Sequence, residues 1–370
     1  MSVISCFLFF RGFHFLFRVY MRIFTESSKK AMIPLFNKYD NKTECLICPH
    51  FCKLAEGKTG ICGVRKNNGG TIELLTYGVL SGYSLDPVDK KPLYHFYPGT
   101  NILSLGSYGC NMRCDFCQNY TISQRVSSDY VSKTDPDKII SDAQAALNNI
   151  GIAFTYNEPV IWFEFIRDVA LKARKKKLRT VMVSNGYVNR DPLEEIISFT
   201  DAFNIDLKAF NNDFYRKLTG ADIEPVKSAL KRIARSGKHL EITTLIIPGQ
   251  NDDEKEMASE SEWIAGELGK DIPFHLSRYF PMYKREDPST PTETLGRLAG
   301  IASKSLNYVY VGNMETEAGQ NTHCPKCRKT VTKRSHYHTK LQNLDGKGNC
   351  TGCGTNIYRN FTSFSSSIQN

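Results

Sequence analysis

At 370 residues the chain is long enough to bury a large core and to fold as two or three domains. Its 41% hydrophobic and 23% charged residues are those of an ordinary soluble globular protein, which excludes a low-complexity or wholly disordered chain. The net charge of +10 is dispersed rather than gathered into one tail, so no concentrated nucleic-acid footprint stands out.

The chain opens on an aromatic stretch, Cys6-Phe7-Leu8-Phe9-Phe10, interrupted by Arg11, His14, Arg18 and Arg22. These charges exclude a clean apolar run of membrane-crossing length, so no integral membrane span is expected. On a helix, steps of three, four and four residues would put the basic groups on one face, and no acid precedes Glu26. Residues 1–30 read in two ways. One is a transit or membrane-surface segment, implying a mitochondrion-related organelle; the other is an extension ahead of a start at Met21 or Met32, leaving the protein cytoplasmic.

Residues 31–100 are rich in Cys, Gly, Pro and Tyr, with short strands expected at Thr71–Tyr77 and Ser81–Ser84 around the turn Asn68-Gly69-Gly70. This predicts a small metal-stapled module. Over residues 101–315 strands alternate with helices. The strands are Ile102–Leu105, Gly151–Thr155, Thr180–Ser184, Ala202–Leu207, Leu240–Ile247, Pro273–Tyr279 and Tyr308–Val311. The helices are Asp137–Asn148, Val160–Lys176, Pro192–Ser198, Asp213–Leu218, Val226–Ser236 and Asp253–Leu268. Such alternation predicts βαβ units and an α/β fold, a partial (β/α)6 TIM-like barrel flanked by small Cys-rich modules. The basic run Arg174–Arg179 reads as a solvated helix end, favoured by the helix dipole. Residues 316–360 form a second Cys-rich module, and 361–370 a polar, disordered tail.

Eleven of the 12 cysteines fall into three groups with short spacings, which suits metal ligation in a reducing compartment better than disulfides. Cys110, Cys114 and Cys117 follow a strand and a Gly-Ser-Tyr turn at the spacing C-x3-C-x2-C. Iron–sulfur clusters normally take four cysteines, so three from one loop leave an iron open to a bound molecule. A zinc ion completed by a distant His is the alternative, but zinc carries no redox chemistry. Cys45, Cys48, Cys52 and Cys62 supply four ligands for zinc or a second cluster, with His50 as an alternate ligand; spacing does not decide the metal. Cys324, Cys327, Cys350 and Cys353 form a zinc-ribbon pattern, with His323 a further surface candidate.

The C-x3-C-x-aromatic-C pattern, with Phe116 before the third cysteine, resembles the radical S-adenosylmethionine (SAM) superfamily. The resemblance implies a [4Fe–4S] cluster whose open iron binds SAM, reductive cleavage to a 5′-deoxyadenosyl radical, and hydrogen abstraction from a substrate. It implies further roles downstream. Asn157 and Glu158 fall where the family binds the SAM amino group, and Ser184 and Asn185 where its carboxylate and ribose are met. Asp206 and Lys208 resemble the Asp-Leu-Lys of glycyl-radical-enzyme activases, and His275 would line the substrate end as a catalytic candidate beside Lys208. Lys90–Gly99 and Phe116–Asn119 resemble the radical SAM member of the AmmeMemoRadiSam system, related to pyruvate formate-lyase activating enzymes. The resemblance spans Glu44 to Tyr358. It implies a ferredoxin- or flavodoxin-like electron donor and partners carrying AMMECR and Memo domains. Two other readings are a metal-stapled RNA- or protein-binding module and a radical SAM enzyme acting on RNA. Only an enzyme needs Glu158, Asn185 and Asp206 at successive strand ends.

Overall fold

In a computed structural model, residues 33–124, 132–314, 319–335 and 338–362 are described, so the expected N-terminal segment 1–30 and most of the polar tail lie outside them. The chain divides into Met1–Pro34 and a compact unit Leu35–Asn370 that carries everything below.

Eight strands make one sheet in chain order: β1 (Gly82–Pro87), β2 (Asn101–Gly106), β3 (Asn149–Phe154), β4 (Arg179–Ser184), β5 (Ala202–Asp206), β6 (His239–Ile246), β7 (Phe274–Arg278) and β8 (Val309–Gly312). β1 runs antiparallel to β2, and β2 to β8 are parallel. The seven parallel strands are those the alternation predicts. Both faces of such a sheet are covered, hence the unbroken apolar burial of Ile152, Ala153 and Phe154.

The covering helices are α1 (Pro136–Ala145), α2 (Phe163–Lys175), α3 (Arg190–Phe199), α4 (Ile223–Arg235), α5 (Glu254–Glu267) and α6 (Thr292–Ala302). Asp135 caps α1 by accepting from Asp137 N and Lys138 N. The basic run ends α2, with Arg174 to Lys177 exposed as the dipole argument expects. The helix expected at Asp213–Leu218 is instead a single turn, Asn212–Phe214, running into a π-helix, Tyr215–Thr219. Sequence reading missed α6, because Gly296 and Gly300 depress its helix propensity.

Between β1 and β2 the chain turns into the barrel. Val88, Leu93 and Phe96 pack there against Ile102, Ala153, Val181 and Ala202. The sheet thus begins at Gly82, and Val88–Gly99 plugs its interior. Ahead of it, Phe36–Lys38, Thr43–Cys45 and Lys53–Leu54 form a small antiparallel sheet, and Arg65–Asn68 and Thr71–Leu74 a hairpin. A three-stranded antiparallel sheet, Thr322–His323, Thr330–Ser335 and His338–Leu341, carries the last cysteine group. No described helix is long and apolar enough to cross a membrane.

Candidate active site at the strand ends

β2 ends at Gly106, and the loop that follows is held from β3. Asn157 Oδ1 accepts from Ser107 N (2.9 Å), while its Nδ2 donates to the carbonyls of Tyr108 (3.2 Å) and Gly109 (3.0 Å). Gly109 adopts φ +84°, and a Cβ there would lie 2.4 Å from the Cys62 carbonyl oxygen. Only glycine tolerates both conditions. The next residue is Cys110.

Cys110 and Cys117 are half-buried and Cys114 is buried. Asn185 Nδ2 lies 3.7 Å from Cys110 Sγ, and Ser123 Oγ 3.1 Å from Cys117 Sγ. Burial pushes the Cys114 thiol up to about 12, with Lys208 pulling it back. Burial, then the Glu158 charge, raises Cys110 well above the ordinary thiol value. Neither is a ready thiolate nucleophile; a metal must displace the proton, which is how thiol metal sites fill.

The three cysteines face a cavity of about 510 Å³ with Phe116, Asn157, Glu158, Ser184, Asn185, Asp206, Lys208 and His275 on its walls. All the site residues predicted around the C-x3-C-x2-C loop therefore converge. Glu158 Oε1 accepts from Val160 N (2.9 Å) and Ser184 Oγ (2.7 Å), and Oε2 from Asn185 N (2.8 Å). It both caps the short helix Pro159–Trp162 and ties β3 to β4. Burial raises its carboxyl to about 7 against those three hydrogen bonds. Lys208 Nζ meets Asp206 Oδ2 at 2.9 Å, leaving the carboxylate 36% exposed to the cavity side.

The radical SAM superfamily model matches residues 105–260, beginning within β2 and ending within α5. An uncharacterised protein of Methanocaldococcus jannaschii is 39% identical over 321 residues, spanning 86% of this chain and 96% of that protein. The chain belongs to the radical SAM superfamily. The pyruvate formate-lyase 1-activating enzyme of Escherichia coli is 27% identical over 213 residues, 52% of this chain and 85% of that enzyme. Among solved structures, a radical SAM methyltransferase from Sphaerobacter thermophilus superposes with TM-score 0.47 at 15% identity, over 59% of this chain and 67% of the other.

Behind the Lys91, Tyr94 and His275 wall of this radical SAM cavity lie residues that sequence reading missed. Glu241, wholly buried on β6, accepts from Tyr94 N (3.0 Å), His95 N (2.7 Å), His239 Nε2 (2.8 Å) and His275 Nε2 (2.6 Å). Those donors hold its carboxyl well below the usual range despite burial. His275 is thus anchored through Nε2, and its ring stacks on Tyr310. Lys91, also buried, pairs with Asp86 at 2.6 Å and lies 4.7 Å over the Tyr156 ring. The plug Val88–Gly99 is what brings these groups under the cavity. In sequence this segment stands out through the family resemblance of Lys90–Gly99 and its polar residues inside an aromatic run, neither of which places it under the cavity.

The last cysteine group is the tightest. Among the described residues, only Cys324, Cys327, Cys350 and Cys353 bring three or more metal-ligating atoms within 4.8 Å of one another. Cys324 Sγ to Cys353 Sγ is 3.4 Å, and Cys327 Sγ to Cys350 Sγ 3.5 Å. His323 is exposed, its Nδ1 3.2 Å from Thr330 Oγ1.

Proposed function

We propose that the chain cleaves SAM reductively at a [4Fe–4S] cluster held by Cys110, Cys114 and Cys117, and abstracts hydrogen from a substrate brought to the same cavity. When bound, the reduced cluster supplies the electron that breaks the sulfonium C–S bond, giving methionine and a 5′-deoxyadenosyl radical. The observation that carries the reading is convergence. Three thiols from one loop and the polar ends of β3, β4 and β5 share one cavity of about 510 Å³, within the range of small-molecule and cofactor sites.

The protein's own residues bind and orient. Glu158 offers the remaining acceptor capacity of its carboxylate to the SAM ammonium, a charge-assisted pair. Ser184 and Asn185 stand beside it for the carboxylate and ribose. Asn157 acts through the loop it holds, because its side-chain amide is fully engaged there. Phe116 covers an apolar wall, and Lys208 keeps positive charge near Cys114, stabilising its thiolate. Asp206 and Lys208 then face the substrate end. His275, fixed by Glu241, keeps the floor in shape.

The activating-enzyme relative favours a substrate on a partner protein, with AMMECR- and Memo-domain proteins the first to test. A ferredoxin- or flavodoxin-like donor supplies the electron. At Cys324–Cys353 the proposed metal is zinc, a reading supported by geometry: four sulfurs 2.3 Å from one ion would lie about 3.8 Å apart, and the Cys324–Cys353 and Cys327–Cys350 sulfurs are 3.4 and 3.5 Å apart.

The test is anaerobic reconstitution with iron and sulfide, then dithionite and SAM, assaying 5′-deoxyadenosine. Formation by wild type and not by Cys114→Ala is expected. A redox-active cluster that leaves SAM intact in the presence of candidate partners would sink the reading.

A further inference from the structure

We infer that Cys45, Cys48, Cys52 and Cys62 hold a second iron–sulfur cluster, and that it relays electrons to the cluster at Cys110, Cys114 and Cys117. The assignment of the site rests on its own geometry. The relay rests on the function proposed above.

The four cysteines come together from four separate places: the end of Thr43–Cys45, the turn after it, the start of Lys53–Leu54, and the loop before Arg65–Asn68. They line one cavity with Ile47, Arg65 and Ile161. None is in a disulfide. Their sulfurs are gathered but not tight, since no three of them lie within 4.8 Å of one another. A tetrahedral zinc ion needs its sulfurs about 3.8 Å apart, which the Cys324 group approaches and this group does not. A four-iron cubane sets four metal atoms between the sulfurs and spreads them wider. The sulfurs of Cys110, Cys114 and Cys117 likewise do not all lie within 4.8 Å of one another.

A second observation points into the cavity. Arg65 is 1% exposed; its Nη atoms bind Glu164 and the Ile161 carbonyl, yet its Nε–H has no partner. A buried donor normally finds an acceptor. Cluster sulfur is one, and the guanidinium charge opposes the net negative charge of a thiolate-ligated cluster. His50, the alternate ligand in sequence, donates from Nε2 to the Asn111 carbonyl at 2.7 Å and so braces the SAM-cluster loop instead.

Position argues for the relay. The Cys62 carbonyl oxygen touches Gly109, the residue before Cys110. With consecutive Cα atoms 3.8 Å apart, Cys62 and Cys110 sulfurs are at most roughly 15 Å apart. On the outer side, Phe51 and Ile61 are 46% and 43% exposed beside Cys52 and Cys62, an apolar landing for a donor protein, with Lys53 and Lys58 exposed nearby. One electron would pass from a reduced ferredoxin- or flavodoxin-type carrier to this cluster and on to the SAM cluster. The carrier is oxidised by one electron, the relay returns to its oxidised state, and no atom moves.

The site is tested in the full chain carrying Cys110→Ala, Cys114→Ala and Cys117→Ala, which removes the SAM cluster. After anaerobic reconstitution with iron, sulfide and zinc, about four iron and four sulfide per chain are expected, with a reducible EPR signal unchanged by SAM. Adding Cys48→Ser and Cys62→Ser should abolish it. Iron below one per chain, with two zinc ions bound, overturns the assignment whatever becomes of SAM cleavage. The relay is tested in wild type by rapid-freeze EPR after mixing with reduced carrier and SAM, since SAM alters only the signal of the cluster it binds. The SAM-insensitive signal should rise first; the reverse order overturns the relay.

Discussion

Arg334 Nε donates to Asp89 Oδ1 at 2.7 Å, with both side chains almost wholly shielded from water. The same guanidinium donates to the Gln320 and Tyr94 carbonyls and to Thr322 Oγ1, and lies 4.0 Å over the Tyr94 ring. Arg334 belongs to the strand Thr330–Ser335 of the four-cysteine ribbon, whereas Asp89 and Tyr94 belong to the barrel plug. Replacing Arg334 by Met should cost about 3–5 kcal/mol, because Asp89 is left as a buried, unpaired charge. Urea denaturation of the variant and of Arg334→Met/Asp89→Leu checks this; the double variant should recover much of the loss.

Glu260 makes the fold sensitive to pH. It is buried on α5, where its Oε1 lies 2.7 Å from Thr244 Oγ1, and burial raises its carboxyl to about 8. The folded chain holds a proton that the unfolded chain releases near the ordinary value, so stability falls as pH rises from about 4.5 to about 8. Glu260→Gln should flatten this dependence and stabilise the protein at pH 9 by on the order of 2–4 kcal/mol. Melting temperatures of both forms between pH 5 and pH 9, in about unit steps, give the answer.

Glu158→Gln should weaken SAM binding about 10- to 100-fold, the worth of a hydrogen bond to a charged group. Gln keeps one acceptor for Val160 N and Ser184 Oγ, so folding should suffer less than binding. Because the carboxyl titrates at about 7, wild-type SAM affinity should fall as pH drops through that value, and the variant's should not. Titration calorimetry on the reconstituted, unreduced enzyme measures both.

Gly109→Ala strains the hinge between the two cysteine-rich loops. The new methyl would overlap the Cys62 carbonyl at a φ of +84°, a conformation costing roughly 1–3 kcal/mol for a side-chain-bearing residue. Displacement of Cys110 should cut 5′-deoxyadenosine formation at least about tenfold. Far-ultraviolet circular dichroism should stay near wild type.

What was legible in the sequence was local or periodic. Seven parallel strands announced themselves through apolar runs of strand length separated by helical patterns. Cys110, Cys114 and Cys117 did so through spacing within one loop. What was not legible depends on distant chain. Glu241 sits in Leu240-Glu241-Ile242, where alternation reads as a solvent-facing carboxylate; it is buried only because Tyr94 and His95, some 146 residues earlier, turn their amides onto it. Asn157 occupies a position that resembles a cofactor contact and lines the cavity, but the hydrogen bonds by which it holds the Ser107–Gly109 loop have no signal in the sequence. For Cys45 to Cys62, sequence counted four ligands but carried no information on sulfur separation, the quantity that distinguishes one ion from a cluster.

The ribbon's anchorage through Arg334 ties the four-cysteine group to the cavity, so a metal held there would matter to the distant site. Stripping the ion from Cys324–Cys353 would free the strand that clamps Asp89 and Tyr94, and the cavity would lose its base without a single iron atom leaving. If the proposed zinc sits there, a chelator chosen for zinc should therefore read out as a poison of radical chemistry. On that reading, metal supply to this protein would be a matter of two nutrients, either of which could starve it.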